Sequence, residues 1–338
     1  MLTYREFETY DRNGMYKVYD KWPELARKFY DMKYDAVDFK GINHIIFVGM
    51  GGSGALGDVL SAIFSKTNMH LCVVKGYHLP KTANSRTLVV ASSVSGNTLE
   101  TLTVLKEAKK LGSKTLAFSS GGKMEAYCLK NKIEYRKVPL LNSPRASFPI
   151  YLYSILKVLE PLVPLKKNDI NESISFLEKT RKQISYSNLT HNPSLDLAKW
   201  LSGIPIIYYP AGLQAAAVRF KNSLQENCKI HAAAEDVIEA CHNSIVSWET
   251  KSNVRPILIQ GKNDYSKTKK LWRIIKTYFK INQIDFKEIH SIDGNILSKL
   301  ICLIYLMDYA TIYYAVLNKK DPTPINSIEF VKNRMYNE

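Results

Sequence analysis

The stretch "HIIFVGMGGSGALGDVL" (44–60) opens as a short apolar run, turns through Gly49, Gly51, Gly52 and Gly54, and continues in helix-compatible residues. An apolar run that stops at glycine reads as a buried strand, and the residues beyond the glycines read as a helix start. A strand fed directly into a helix belongs to a parallel sheet, because parallel neighbours need a crossover connection. The pattern recurs. Further strand-like runs are "HLCVVKG" (70–76), "TLVVASS" (87–93), "KTLAFSS" (114–120) and "IEYRKVP" (133–139). Helical stretches lie between most of them. In "TLETLTVLKEAKKLG" (98–112), Leu99, Leu102, Leu105 and Ala108 share one face and Gly112 supplies a stop.

A second alternating series starts near residue 170. It contains "GIPIIYYPAG" (203–212), "LQAAAVRFKNSLQEN" (213–227), "VRPILIQG" (254–261), "KTKKLWRIIKTYFK" (267–280) and "DFKEIHSI" (285–292), then a long apolar helix. The expectation is an α/β fold of two lobes, each a mostly parallel sheet flanked by helices, over residues 1–155 and 156–338. The helical stretch near 149–160 would join them.

With 338 residues, 46% hydrophobic and 23% charged, the composition is that of a globular protein able to bury a large core. The net charge of +16 raises nucleic acid as a partner, but the lysines are scattered and form no dense block. A positive field that draws in a phosphorylated small molecule accounts for them as well. Five cysteines, odd in number and without CxxC pairing, come after a polar N-terminus. Reduced thiols and a cytoplasmic location are expected. The stretch 296–317 looks long enough for a membrane, but Lys299 and Asp308 interrupt it. An Asp near the bilayer centre would cost about 2.5–3.5 kcal/mol. A buried helix, in the core or at a subunit interface, is expected instead.

Gly49-x-Gly51-x-x-Gly54 has the spacing of a dinucleotide fingerprint, which also wants an acidic residue at the end of the second strand. That strand carries Lys75 and no Asp or Glu. NAD is therefore discounted. The glycines still let backbone N–H groups at a helix start approach an anion. "VASSVSGNTLETL" (90–102) offers a second such place, with Ser93, Ser95 and Thr98 beyond a strand and Asn97 with Glu100 as a capping pair. Two hydroxyl-rich helix starts on neighbouring strands suit a phosphate monoester. One alone would read equally well as a capped polar turn.

"GMGGSG" (49–54), "SVSGNTLETL" (93–102), "SPRASFP" (143–149), "QENCKI" (225–230), "CHNS" (241–244) and "KKDPTPINSIEFVK" (319–332) succeed one another in this order. Together they resemble the archaeal bifunctional phosphoglucose/phosphomannose isomerase family, a branch of the phosphoglucose isomerase superfamily built from two SIS (sugar isomerase) domains. The resemblance implies sugar 6-phosphate substrates, no metal, no redox cofactor and a homodimer. It implies phosphate binding by Gly51, Gly52 and Ser53 and by Ser93, Ser95 and Thr98. Arg145 would lie near C1 and C2 of the sugar, and Glu226 would be the catalytic base. His242, reaching across the dimer, would open the ring, and Thr323 would accompany acceptance of both epimers.

These residue types suit the reaction. A carboxylate can remove the proton alpha to a carbonyl and return it to the neighbouring carbon. A permanently charged arginine can stabilise the enediolate between those steps. An imidazole titrating near neutrality can move the two protons of ring opening. Cys241-His242 and the isolated His231 do not make a zinc-type set. Glu226 lies well off the stripe Leu213, Ala217, Phe220 and Leu224, so it faces a cleft, a second subunit or water. His242 read alone suits a surface histidine, Arg145 a loop salt bridge, and Thr323 an extended linker. Cys241, Ser244 and Ser247 depart from the family pattern around His242, and Val94 stands where a tyrosine is frequent. The other readings are a non-catalytic SIS module that senses sugar phosphates and an amino-sugar phosphate isomerase.

Overall fold

The computed structural model describes residues 2–337. Three short helices lead: α1 (Tyr4–Tyr10), α2 (Met15–Asp20) and α3 (Trp22–Tyr30). The first lobe comes next as β1 (His44–Val48), α4 (Gly51–Phe64), β2 (His70–Val74), β3 (Thr87–Ser93), α5 (Leu99–Lys110), β4 (Lys114–Ser119), α6 (Gly122–Lys130) and β5 (Glu134–Lys137). Helices α7 (Phe148–Val158), α8 (Lys167–Ile184) and α9 (Pro193–Trp200) lead to the second sheet. That lobe runs β6 (Ile204–Tyr209), α10 (Gln214–Ser223), β7 (Ala233–Asp236), α11 (Val237–Ala240), β8 (Val254–Gln260), α12 (Ser266–Ile281) and β9 (Lys287–His290). Helices α13 (Ile296–Leu317) and α14 (Asn326–Asn337) close the chain.

Every strand pairing is parallel, as the strand-to-helix alternation requires. The strand orders are β2-β1-β3-β4-β5 and β7-β6-β8-β9. In the first sheet the chain winds outward from β1 in one direction and from β3 in the other. The gap between their carboxyl ends is a topological switch point, where open α/β sheets take their ligands. Val48 lies opposite Ala91, so the turns after β1 and β3 leave the sheet side by side.

One continuous apolar cluster runs through both lobes and includes Phe47, Tyr151, Leu224 and Tyr305. Helix α7 is buried on nearly every side, which explains its lack of an amphipathic pattern. Helix α13 is long and apolar enough to cross a membrane by length and composition, yet most of it is buried inside the protein. Asp308, near its middle, is 0% exposed and lies in the core. The leading helices dock on α13, where Trp22 stacks on Tyr305 at 5.1 Å and Tyr305 donates to the Tyr19 carbonyl at 2.7 Å.

Gly57 lets α4 sit down on the first sheet. A Cβ there would stand 2.5 Å from Phe47 Cδ1 and 2.9 Å from Val73 Cγ1. Gly57→Ala gains about 1 kcal/mol of helix propensity but forces an overpacked core at a cost of about 1–3 kcal/mol. The expected outcome is net destabilisation, read as a lower urea midpoint with an unchanged slope.

Candidate active site

The turns expected to take the phosphate lead into two helix N-termini. Neither α4 nor α5 has a side-chain cap, so their first N–H groups keep hydrogen-bonding capacity for an anion. Gly51 takes a φ of +51°, the left-handed region that glycine tolerates. Gly49 and Gly54 must approach closely, since a Cβ on Gly54 would lie 2.8 Å from the Gly49 carbonyl oxygen. Ser53 is buried, and Gly52 sits beside it at the helix start.

The turn after β3 differs from the expected capping pair. Thr98, and not Asn97, is the N-cap of α5. Thr98 and Ser93 share a hydroxyl–hydroxyl bond of 2.9 Å. The Asn97 side chain instead accepts the Lys123 N–H at 3.0 Å, because the turn after β4 packs against it. Ser95 is exposed, and its Oγ accepts the Asn97 N–H at 3.3 Å. Val94 is buried in the main core, a packing position.

Glu226 is also placed differently from a regular continuation of α10. After Ser223 the helix widens into one π-turn, Leu224–Cys228, with the Lys229 N–H donating five residues back to Leu224. Lys229 then takes a φ of +58°, which ends the turn. Such π-turns redirect side chains and are frequent at functional sites. Here Glu226 points at Arg145, whose Nη1 donates to Glu226 Oε2 at 2.8 Å. Arg145 is 3% exposed. Its Nη2 donates to the carbonyls of Pro322 at 3.1 Å and Thr323 at 2.9 Å. Lys229 Nζ adds bonds to the carbonyls of Asp321 and Pro322. Burial, and after it the Arg145 charge, pull the Lys229 ammonium below the usual lysine pKa. Two cations thus hold the Asp321–Pro324 loop by its backbone. The Thr323 hydroxyl is buried with no partner among the described residues.

A cleft of about 670 Å³ lies over this pair. Gly51 and Lys75 line it from the first lobe, Lys221, Glu226 and Lys229 from the second, and Pro324–Ile328 from the C-terminal segment. Lys75, where a dinucleotide site would place an acid, pairs with Asp58 at 2.6 Å. Gly51, Glu226, Arg145 and Thr323 therefore belong to one constellation. Arg145 and Thr323 join it behind the cleft wall, and Gly52, Ser53, Ser93, Ser95 and Thr98, at the switch point, do not line the cleft either.

His242 is elsewhere. It is exposed on the turn after α11 and is not part of the cleft wall. Ser244, one of the departures beside it, donates to Glu235 Oε2 at 2.6 Å and so ties that turn to β7. Cys241 is half-buried and Ser247 exposed.

Beneath the cleft lies a pair that the motif reading passes over. Arg219 on α10 donates from Nε and Nη2 to Asp308 Oδ2 at 2.9 and 2.5 Å, and from Nη2 to the Arg145 carbonyl at 3.0 Å. Ser223 and Tyr19 complete the carboxylate's shell. Burial opposes the charge on Arg219, but Asp308, Tyr19 and Glu226 together outweigh it and hold the guanidinium above its ordinary pKa. Removing one member of such a buried pair costs about 3–5 kcal/mol. Asp308 inside the apolar α13, and Arg219 on the apolar stripe side of α10 between Ala216 and Phe220, are the sequence signal that could have joined them.

Two parallel sheets with this topology and switch-point turns define an SIS-type protein. The SIS domain family matches residues 38–128, and the family described as the bacterial phospho-glucose isomerase C-terminal SIS domain matches residues 190–335. A bifunctional phosphoglucose/phosphomannose isomerase of Caldicellulosiruptor bescii is 30% identical over 333 residues, covering 93% of this chain and 96% of that one. The chain belongs to the bifunctional phosphoglucose/phosphomannose isomerase family. A D-glucosamine-6-phosphate 4-epimerase of Sulfolobus acidocaldarius is 31% identical over 257 residues, covering 72% of this chain and 77% of that one. Among solved structures, a hypothetical protein from Thermus thermophilus has the same fold, with a TM-score of 0.72 at 14% identity over 98% of this chain and 92% of that one.

Arg145→Gln should free the Asp321–Pro324 loop, since it removes the guanidinium's two carbonyl bonds and its tie to Glu226. Hydrogen exchange should speed up in residues 320–325 while the strands of the first sheet stay as protected as in wild type. Unchanged protection in that loop would show that Lys229 holds it alone.

Proposed function

We propose that the protein is an aldose–ketose isomerase that interconverts glucose 6-phosphate, and also mannose 6-phosphate, with fructose 6-phosphate through a cis-enediolate. The observation that carries this reading is Glu226, which lines a cleft shared with Gly51 of the first lobe and is held at 2.8 Å by the buried Arg145 behind it. Gly51, Gly52, Ser53, Ser93, Ser95 and Thr98 take the phosphate with the N–H groups of α4 and α5. Glu226 then moves the proton between C2 and C1. The arginine engages Glu226 through one nitrogen and carbonyls through the other, so its charge is fixed in place before the enediolate forms. Thr323 serves acceptance of both epimers through its carbonyl bond to Arg145, since its hydroxyl is buried off the cleft wall. The two lobes divide near residue 155.

His242 completes the site from a second copy of the chain and opens the sugar ring. Its exposed position off the cleft favours this arrangement over an intramolecular role. The reaction needs no metal in this reading, and activity should persist in EDTA. The amino-sugar reading keeps one support, the similarity to the Sulfolobus acidocaldarius epimerase, so glucosamine 6-phosphate belongs in the assay.

The test is a coupled assay of fructose 6-phosphate formation from each aldose. Glu226→Gln should lower kcat by about 10²–10⁴-fold while substrate still binds. Retained turnover would refute Glu226 as the base, and turnover of glucosamine 6-phosphate alone would select the other reading. The shared site has its own check. Mixing Glu226→Gln with His242→Asn protein should restore up to about a quarter of wild-type activity, because half the dimers are mixed and carry one intact site. No restoration would place His242 in its own chain's site.

A further inference from the structure

We infer that Arg219, neutralised by Asp308, is a positioning residue for isomerisation: it sets the backbone of Arg145 and thereby aims the arginine that faces the enediolate. The role rests on the reading of Glu226 and Arg145 given above. Arg219 is 2% exposed and Asp308 0% exposed, so neither touches substrate. Their geometry nevertheless meets the site at two points. Arg219 Nη2 donates to the Arg145 carbonyl at 3.0 Å. A Cβ on Gly52 would stand 4.0 Å from Arg219 Nη1, so the same guanidinium backs the phosphate turn.

The side chain is immobilised on every side. Its plane lies over Phe148 at 4.0 Å, the first residue of α7, and Trp22 lies beyond at 6.0 Å. Trp22 Nε1 donates to the Ala146 carbonyl at 3.1 Å, fixing the residue next to Arg145. Asp308 is held by Ser223 at 2.7 Å and Tyr19 at 3.3 Å in addition to Arg219. Helices α2, α3, α10 and α13 thus converge on the backbone of Arg145 and Ala146. A stability role alone gives no reason for a guanidinium whose Nη2, besides meeting Asp308, also holds the Arg145 carbonyl. A buried ion pair is often replaceable by apolar groups without loss of stability. A fork that fixes a catalytic arginine's backbone is not.

Two variants separate positioning from structure. Arg219→Lys keeps the charge but loses the planar fork. Arg219→Gln/Asp308→Asn keeps a neutral hydrogen-bonding pair and leaves no uncompensated charge, so it is the variant expected to fold. Both are measured for kcat and KM with glucose 6-phosphate. Both are also titrated calorimetrically with a five-carbon aldonate 5-phosphate, whose carboxylate imitates the enediolate, and with inorganic phosphate. The expected result is a kcat lower by about 10²-fold, the cost of misplacing a catalytic group by about 1 Å. The aldonate should lose affinity by the same factor as kcat/KM, with full stoichiometry and phosphate affinity near wild type. Fewer binding sites of unchanged aldonate affinity, or a double variant with wild-type kcat/KM, would overturn the role while leaving Glu226 as base. If wild-type protein does not bind the aldonate, the underlying reading of the site falls and this role with it.

Discussion

The Arg145 guanidinium is the joint on which the site depends. One nitrogen meets Glu226 on the second lobe, another meets two carbonyls of the C-terminal loop, and the residue itself leads from the first sheet into α7. Three distant parts of the chain are therefore brought to one cation. A charge this deeply buried needs partners for its donors, and both terminal nitrogens have them while Nε has none among the described residues. Those bonds fix the guanidinium in place, which the proposed stabilisation of an enediolate requires. The π-turn at 224–228 is the local irregularity that brings the carboxylate to that cation.

At the other end, the parallel sheet brings together the two helix N-termini proposed to take the phosphate. β1 and β3 are neighbours that wind in opposite directions, so α4 and α5 both begin at the gap between them. Their N-termini lack side-chain caps, which leaves the N–H groups available. Hydroxyls from Ser93 and Thr98 pair with each other instead of capping the helix. Fold topology thus supplies the two uncapped helix starts on which the proposed anion site rests. The second lobe, which repeats the strand order, supplies the carboxylate from the helix after its own first strand.

Much of this was legible in the sequence because both strands and switch-point turns have strong local signatures. β3 occupies the apolar run 87–93 that marked it, and β1, β4 and β8 fall within theirs. What escaped depended on tertiary context. β7 is "AAED", whose charged end carries no strand signal and is set by pairing with β6. Asn97 and Glu100 have the spacing of a cap, but the turn after β4 claims Asn97. A regular helix through Glu226 ignores the extra residue that the π-turn accommodates. The six family motifs located Arg145, Glu226, His242 and Thr323, yet they were silent on Arg219 and Asp308. Those two are separated by 89 positions and meet only in the folded core.

The most direct measurement is a crystal structure of the protein with the aldonate 5-phosphate bound. The phosphate should lie on the N–H groups of α4 and α5, with the Glu226 carboxylate about 3–3.5 Å from the carbons that exchange the proton. A phosphate bound away from the turns after β1 and β3, or a Glu226 carboxylate beyond contact with the sugar carbons, would contradict the assignment of Glu226 as the base.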